Sequence, residues 1–227
     1  MPNELAPLVR ALSLQRTEDP QGDGPSLHTG TLGDVEIVAT RTGIGTARAT
    51  RAAERLLDAT DVEHVLVVGI AGGVGASRVG DVVRPEVVVD GATGCEHQPS
   101  PLDAHPASGK LVTSDEFHRT PEQLARMVDD GVVAVDMETA AVAAVCDARG
   151  RPWSVVRAIS DLVSDYADDA VLGLAHPDGS PNVPAALRFV LTHPWRVPQL
   201  VRLARDAKRA CDAAATTAAA QIAGGAA

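Results

Sequence analysis

The stretch VLVVGI, Val65 to Ile70, is apolar on both faces and runs directly into the small-residue turn AGGVG, Ala71 to Gly75. A strand that is hydrophobic at every position belongs in the middle of a sheet covered by helices on both sides, because successive side chains point into opposite layers. Working outward, WSVVRAIS (153–160) and VVAV (132–135) read as further buried strands. VEIVAT (35–40) is a β-branched run that leads through TGIGT into ARATRAAERLLDA, a segment with helical spacing. VVRPEVVVD (82–90) predicts another strand, which Pro85 marks as an edge or a bulge.

Helices fall between these strands. Thr120 as N-cap, Pro121 at the first position and Glu122 in the first turn predict a short helix to Asp130. METAAVAAVCDARG (137–150) predicts a second, ending at Gly150. Residues 91–109 and 161–183 are rich in Gly, Pro, Ser, Asp and His and read as loops. From Pro184 the chain turns helical, with Leu200, Leu203, Ala207 and Ala210 on one face and Arg196, Arg202, Arg205, Lys208 and Arg209 forming a solvated remainder. The Ala-rich end, 212–227, is expected to fray. Alternating strands and helices predict an α/β fold with a largely parallel sheet, whose ligand site lies at the carboxyl ends of the strands.

The 227 residues suffice for one domain with a sizeable core. Aromatic residues make up only 2% of the chain, so that core must be built from Val, Leu, Ile and Ala, with Trp153 and Trp195 as core or interface packing. A net charge of −10 argues against nucleic acid or an anionic membrane surface as a partner, since both need a basic face, and leaves a small molecule. Cys95, Cys146 and Cys211 are odd in number and lack metal-ligand spacing, so they read as reduced thiols with no metal site. No basic, apolar leader is evident in MPNELAPLVRAL, and the expected location is cytoplasmic.

Acids follow two of the strands: Asp136 and Glu138 after VVAV, and Asp161 after WSVVRAIS. Each is a candidate for chemistry. Each could equally serve a helix start, as a first-turn acid or a cap.

AVDMETAAVAAVC (134–146) followed by VVRAISD (155–161) is similar to the paired signature of the purine nucleoside phosphorylase and methylthioadenosine/S-adenosylhomocysteine nucleosidase superfamily. TGIGTARA (42–49), GIAGG (69–73) with VGDVV (79–83), and TSDEF (113–117) match it too, so the resemblance spans roughly residues 35–165. It implies a three-layer αβα sandwich around a mixed, mostly parallel sheet and a homodimer or larger oligomer. By the same resemblance, Glu138 binds the ribose hydroxyls with the Met137 backbone beside it. Asp161, oriented by Ser160, donates a proton to purine N7, Phe117 stacks on the base, and Ile70, Ala71 and Gly72 line the substrate. The reaction implied is cleavage of a purine N-glycosidic bond with no cofactor, since an oxocarbenium-like sugar and an electron-rich base must be stabilised at opposite ends of the site.

The resemblance also bears on the nucleophile. Val67 stands where phosphorylases of the family carry an arginine, and Ile70 stands where a small hydroxyl residue is common. Both favour water over phosphate, although Arg41, Arg48 and Arg78 lie near glycine turns and offer cations. Nucleosidases of the family activate water with a glutamate just after their first strand. MPNEL (1–5) resembles that segment and assigns the base to Glu4, with only Met1, Pro2 and Asn3 where a strand is expected. The first strand is thus expected to be truncated, and Glu4 to sit on a loose terminus. The stretch 173–210 looks like the tail of the hopanoid-associated nucleoside phosphorylases, and GIAGG recurs there and in futalosine hydrolases, which implies a 5′ group set by residues 162–200. Two alternatives stay open: a phosphate-dependent phosphorylase, and a nucleoside-binding member without turnover.

Overall fold

The computed structural model describes residues 2–17, 26–101, 104–116, 120–163 and 192–225. At its centre β4 (Val65–Gly73) lies parallel to β10 (Trp153–Leu162), with Val65 opposite Trp153. Trp153 to Ser160 are all buried, Ser154, Arg157 and Ser160 included, as a central strand covered on both faces requires. Around this pair runs a seven-stranded sheet in the order β5 (Val82–Val83), β10, β4, β9 (Val132–Asp136), β8 (Lys110–Thr113), β6 (Val87–Asp90), β7 (Glu96–His97). Pairs β10–β4, β9–β8 and β8–β6 are parallel, while β5 and β7 close the two edges antiparallel. β9 reaches β4 antiparallel, and only at Gly72 and Gly73.

Helices cover both faces, which makes the fold the three-layer sandwich expected. On one face α2 (Thr46–Ala59) and α4 (Thr139–Ala148) bring Ala49, Ala53, Val142 and Cys146 against Val67, Val155 and Ile159. Small helix residues let the backbones approach closely, and this offsets the shortage of aromatics. On the other face α5 (Val197–Gly225) sets Ala210 and Ala214 on Val156 and Ala158, and α1 (Pro2–Ala11) packs along α5. A separate antiparallel sheet of β1 (Gln15–Thr17), β2 (Leu27–Leu32) and β3 (Val35–Ala39) stands beside β4 without pairing to it.

Four local expectations meet the structure differently. Pro85 does more than bulge one strand: it ends β5, so that 82–83 and 87–90 pair at separate places in the sheet. The loop 91–109 contributes the short strand β7. The chain before Ala11 is a helix with no strand ahead of it among the described residues. The Ala-rich end does not fray through Gly225, because Ala214, Ala215, Ala218 and Gln221 are buried and the small residues are what let α5 lie flat on the sheet. The helix of 121–129 (α3) carries the reciprocal capping box: Gln123 N–H donates to the Thr120 hydroxyl and Thr120 N–H to the Gln123 side chain. Trp153 is core, at 2% exposure, whereas Trp195 is 70% exposed with its ring edge against His193. The three cysteines are free thiols.

Candidate active site

The carboxyl ends of β4, β9 and β10 converge on one buried guanidinium. Arg157 stands in the middle of β10, where every neighbouring side chain is apolar or small, so its charge must be matched inside the protein. Its Nη2 lies 2.5 Å from Asp136 Oδ2 and 3.5 Å from Glu138 Oε2, and also donates to the Thr139 hydroxyl at 3.0 Å. Nη1 donates to the Ile70 carbonyl at 3.4 Å and lies 4.0 Å from Glu4 Oε1. Burial alone lowers the pKa of the guanidinium; Asp136, Glu138 and Glu4 more than offset this and hold it above the ordinary value. Three carboxylates share one cation.

Asp136 is the innermost of the three. It accepts from the Thr113 hydroxyl at 2.6 Å, from the Thr139 N–H at 3.2 Å and from the Thr139 hydroxyl, so the end of β9 is fixed to the first turn of α4. Glu138, between that strand and that helix, occupies the N-cap position without capping the helix. Its carboxylate turns instead toward the glycine turn before α2 and accepts from the Gly45 N–H at 3.2 Å. Gly45 takes φ 94°, a conformation open to glycine that aims the N–H at Glu138. Burial pushes the Glu138 carboxyl from its ordinary 4.5 to about 7; Arg157 and the Gly45 N–H pull it down, and Asp136 and Glu4 push it up.

Glu4 reaches the same cluster from α1. Its Oε1 accepts from the Ile70 N–H at 3.0 Å, and its side chain is 13% exposed, so it is held rather than loose on the terminus. The glycine of VVGI explains how it fits: a Cβ at Gly69 would collide with Arg157 Nη1 and come within 2.7 Å of Glu4 Oε1. Gly69 leaves room for both charges. Asp161 lies at the end of β10, where the register with β4 slips so that Ile159 pairs with Ala71 and Asp161 with Gly72. The bulge turns Ser160 inward, and its hydroxyl donates to Asp161 Oδ1 beside the Ala71 carbonyl. A Cβ at Gly72 would come within 3.0 Å of the Val163 side chain and 3.4 Å of Asp161 Oδ2, so glycine keeps this approach open.

Glu4, Ile70 and Glu138 thus meet at Arg157, while Asp161, Ser160, Ala71 and Gly72 meet at the neighbouring strand ends. Met137 is half-buried between β9 and Glu138. Phe117 lies outside the described residues, as does most of the 162–200 segment expected to set the 5′ group. Arg48 and Arg78 are exposed, and Arg41 lines the cavity beside β3. Arg157 was not among the expected site residues, yet a lone arginine inside VVRAIS is itself a sign, because an unpaired charge is not tolerated in a central strand. Thr139 and the Gly45 N–H had no such sign. Among the described residues no cluster of three His, Cys, Asp or Glu is placed to hold a metal ion, and no helix is long and apolar enough to cross a membrane.

The phosphorylase superfamily model matches residues 1–112 and 100–186. A 5′-methylthioadenosine/S-adenosylhomocysteine nucleosidase of Glaesserella parasuis serovar 5 is 31% identical over 198 residues, 72% of this chain and 86% of that protein. Among solved structures, an MTAN mutant of Helicobacter pylori with 5′-methylthioadenosine in the active site superposes with a TM-score of 0.73 at 20% identity, covering 98% of this chain and 95% of that one. The futalosine hydrolase of Helicobacter pylori superposes equally well, with a TM-score of 0.73 at 20% identity over 98% and 94% of the two chains. Motifs, sheet order and matched span agree: the chain belongs to the phosphorylase superfamily, among its purine nucleoside phosphorylases and nucleosidases.

Proposed function

We propose that the protein hydrolyses the N-glycosidic bond of an adenosine-type nucleoside, in the manner of a methylthioadenosine/S-adenosylhomocysteine nucleosidase. The observation that carries this reading is the charge balance around Arg157: Glu4, Asp136 and Glu138 outnumber the one guanidinium. Such a site favours an oxocarbenium-like sugar and repels a phosphate dianion. Similarity to nucleosidases at 31% identity supports the same choice.

In the proposed reaction Glu138 accepts hydrogen bonds from the ribose hydroxyls, with the Met137 backbone beside it. Asp161, oriented by Ser160, gives its proton to purine N7 as the C1′–N9 bond breaks and its electron pair passes into the base. Water attacks C1′ and yields a proton to Glu4, so the products are a neutral purine and a free sugar. Ionised Asp161 and protonated Glu4 then exchange protons with solvent. Ile70, Ala71 and Gly72 form the wall along the base and sugar, and Phe117 stacks on the purine. No cofactor is needed, because acid, base and cation stabiliser all come from side chains. We assign the protein to the cytoplasm as a homodimer or larger homo-oligomer, acting on a small molecule; the net charge of −10 opposes nucleic-acid and membrane partners.

Incubation with methylthioadenosine, S-adenosylhomocysteine, adenosine and inosine, followed by chromatography of the released base, tests the proposal. Adenine is expected from at least one 5′-modified adenosine. Tight binding of adenine analogues with no release from any substrate contradicts turnover and leaves a nucleoside-binding protein.

A further inference from the structure

Helix α2 begins on a residue that cannot cap it. Gly45, at the N-cap position, has no side chain to accept from the first turn, and that turn carries no acid of its own. A helix start leaves backbone N–H groups without partners, and a negative charge placed there also meets the positive end of the helix dipole. Two carboxylates from other elements take adjacent groups. Glu138 Oε1 accepts from the Gly45 N–H at 3.2 Å. Asp115, 69 positions from Thr46, accepts from the Thr46 N–H at 3.0 Å through Oδ1 and from the Thr46 hydroxyl at 2.6 Å through Oδ2.

One short piece of chain grips both helix starts that flank Glu138. Thr113, the last residue of β8, is buried; it donates to Asp136 at 2.6 Å and accepts from the Ala140 N–H at 2.9 Å, in the first turn of α4. Two residues later, Asp115 holds the start of α2. Between the two lies Glu138, whose Oε2 faces Arg157 at 3.5 Å. Asp136 and Glu4 also claim that guanidinium, which leaves the Gly45 N–H to fix the way the Glu138 carboxylate is turned. The turn presenting this N–H has two glycines at positive φ, Gly43 at 82° and Gly45 at 94°, and so has little stiffness of its own. A Cβ at Gly45 would come within 3.3 Å of Asp115 Oδ1, so this carboxylate packs directly against the turn.

We infer that Asp115 is a positioning residue for the sugar: by pinning the glycine turn 42–45 it keeps the Gly45 N–H on Glu138, and so holds Glu138 turned to receive the hydroxyls of a ribose. The inference rests on the reading of Glu138 as the ribose ligand. Asp115 is exposed, so the core does not depend on it. Its loss is expected to weaken the hold on the sugar and to leave the hold on the base as it is.

The test is calorimetric binding of two ligands that need no turnover. One is adenine; the other is the 5′-methylthio derivative of formycin A, an adenosine analogue whose carbon–carbon glycosidic bond resists hydrolysis. Asp115→Ala is expected to bind the nucleoside analogue roughly tenfold more weakly than wild type, the scale of a lost cap, with adenine affinity unchanged. Asp115→Asn, whose side-chain oxygen still accepts from the Thr46 N–H, should recover most of that loss. Unchanged binding of the analogue by Asp115→Ala overturns the inference. So does an equal loss for adenine and analogue, which marks a general loosening of α2. Where wild type draws no added affinity from the sugar of the analogue, the ribose assignment of Glu138 itself fails, and the inference falls with it.

Discussion

Arg157 holds the site together by electrostatics that cut both ways. Its pairing with Asp136, Glu138 and Glu4 makes three buried carboxylates tolerable, and removing it strands them. Arg157→Met is expected to cost about 3–5 kcal/mol, the usual loss when one partner of a buried pair is removed, measured by urea denaturation against wild type. A loss under about 1 kcal/mol would contradict the pairing described. Glu138 gives a prediction of opposite sense. Folded, it keeps its proton to about pH 7, while the unfolded chain releases it near 4.5, so between these values the folded state binds more protons and stability falls as pH rises. Glu138→Gln should flatten that slope in denaturation curves taken from pH 4.5 to 8, while abolishing turnover. A slope unchanged by the substitution would show that Glu138 is not the group responsible. For Asp161→Asn, proton donation is lost while the shape is kept, and kcat should fall about 10²- to 10⁴-fold with KM little changed. A fall confined to KM would make Asp161 a binding residue. At this scale position marked Glu138 and Asp161 only as candidates, since an acid just past a strand can equally start or cap a helix; their roles came from the motifs shared with the family. Arg157 was visible as a charge in an apolar run, but its partners come from three separate elements that no local spacing brings together. Phe117 remains a matter for substitution.

Among the elements, β4 and its glycines do the positioning. Gly69→Ala drives a methyl group into Arg157 Nη1 and Glu4 Oε1, and is expected to reduce turnover at least tenfold with the fold intact by circular dichroism. Wild-type turnover would mean that Glu4 and Arg157 need not occupy these positions together. Thr120→Ala, by contrast, removes the cap of α3 and should cost about 1 kcal/mol in thermal denaturation. The apolar strands and the capped helices could be read from the chain because periodicity and caps are local. Pro85 could not be read fully, since the residues on either side are equally good strand formers and only the sheet decides that they pair with different neighbours. Glu4 was legible by resemblance alone; that it sits on a helix whose side chain reaches a strand 66 positions away is a fact of packing.

For the whole molecule, the αβα architecture and the scarcity of aromatic bulk, with Trp153 in the core, are two sides of one design. Layers built from Ala and Val pack closely, and α5 lies on β10 through Ala210 and Ala214 because nothing larger intervenes. Composition pointed to such a core, but it also suggested a frayed tail, since alanine alone gives no sign of which helices are buried. Removing residues 212–227 is accordingly expected to abolish cooperative unfolding rather than leave it untouched, because it strips Ala214, Ala215 and Ala218 from the sheet face. An unchanged melting transition would return that segment to the periphery. Whole-molecule charge and the carboxylate-rich site both point to a neutral nucleoside and to water as nucleophile. The most direct test is adenine release from methylthioadenosine in buffer freed of phosphate and in the same buffer with phosphate added, with the sugar product identified by mass. The account predicts equal rates and free methylthioribose in both; release only with phosphate, yielding a sugar 1-phosphate, would contradict it.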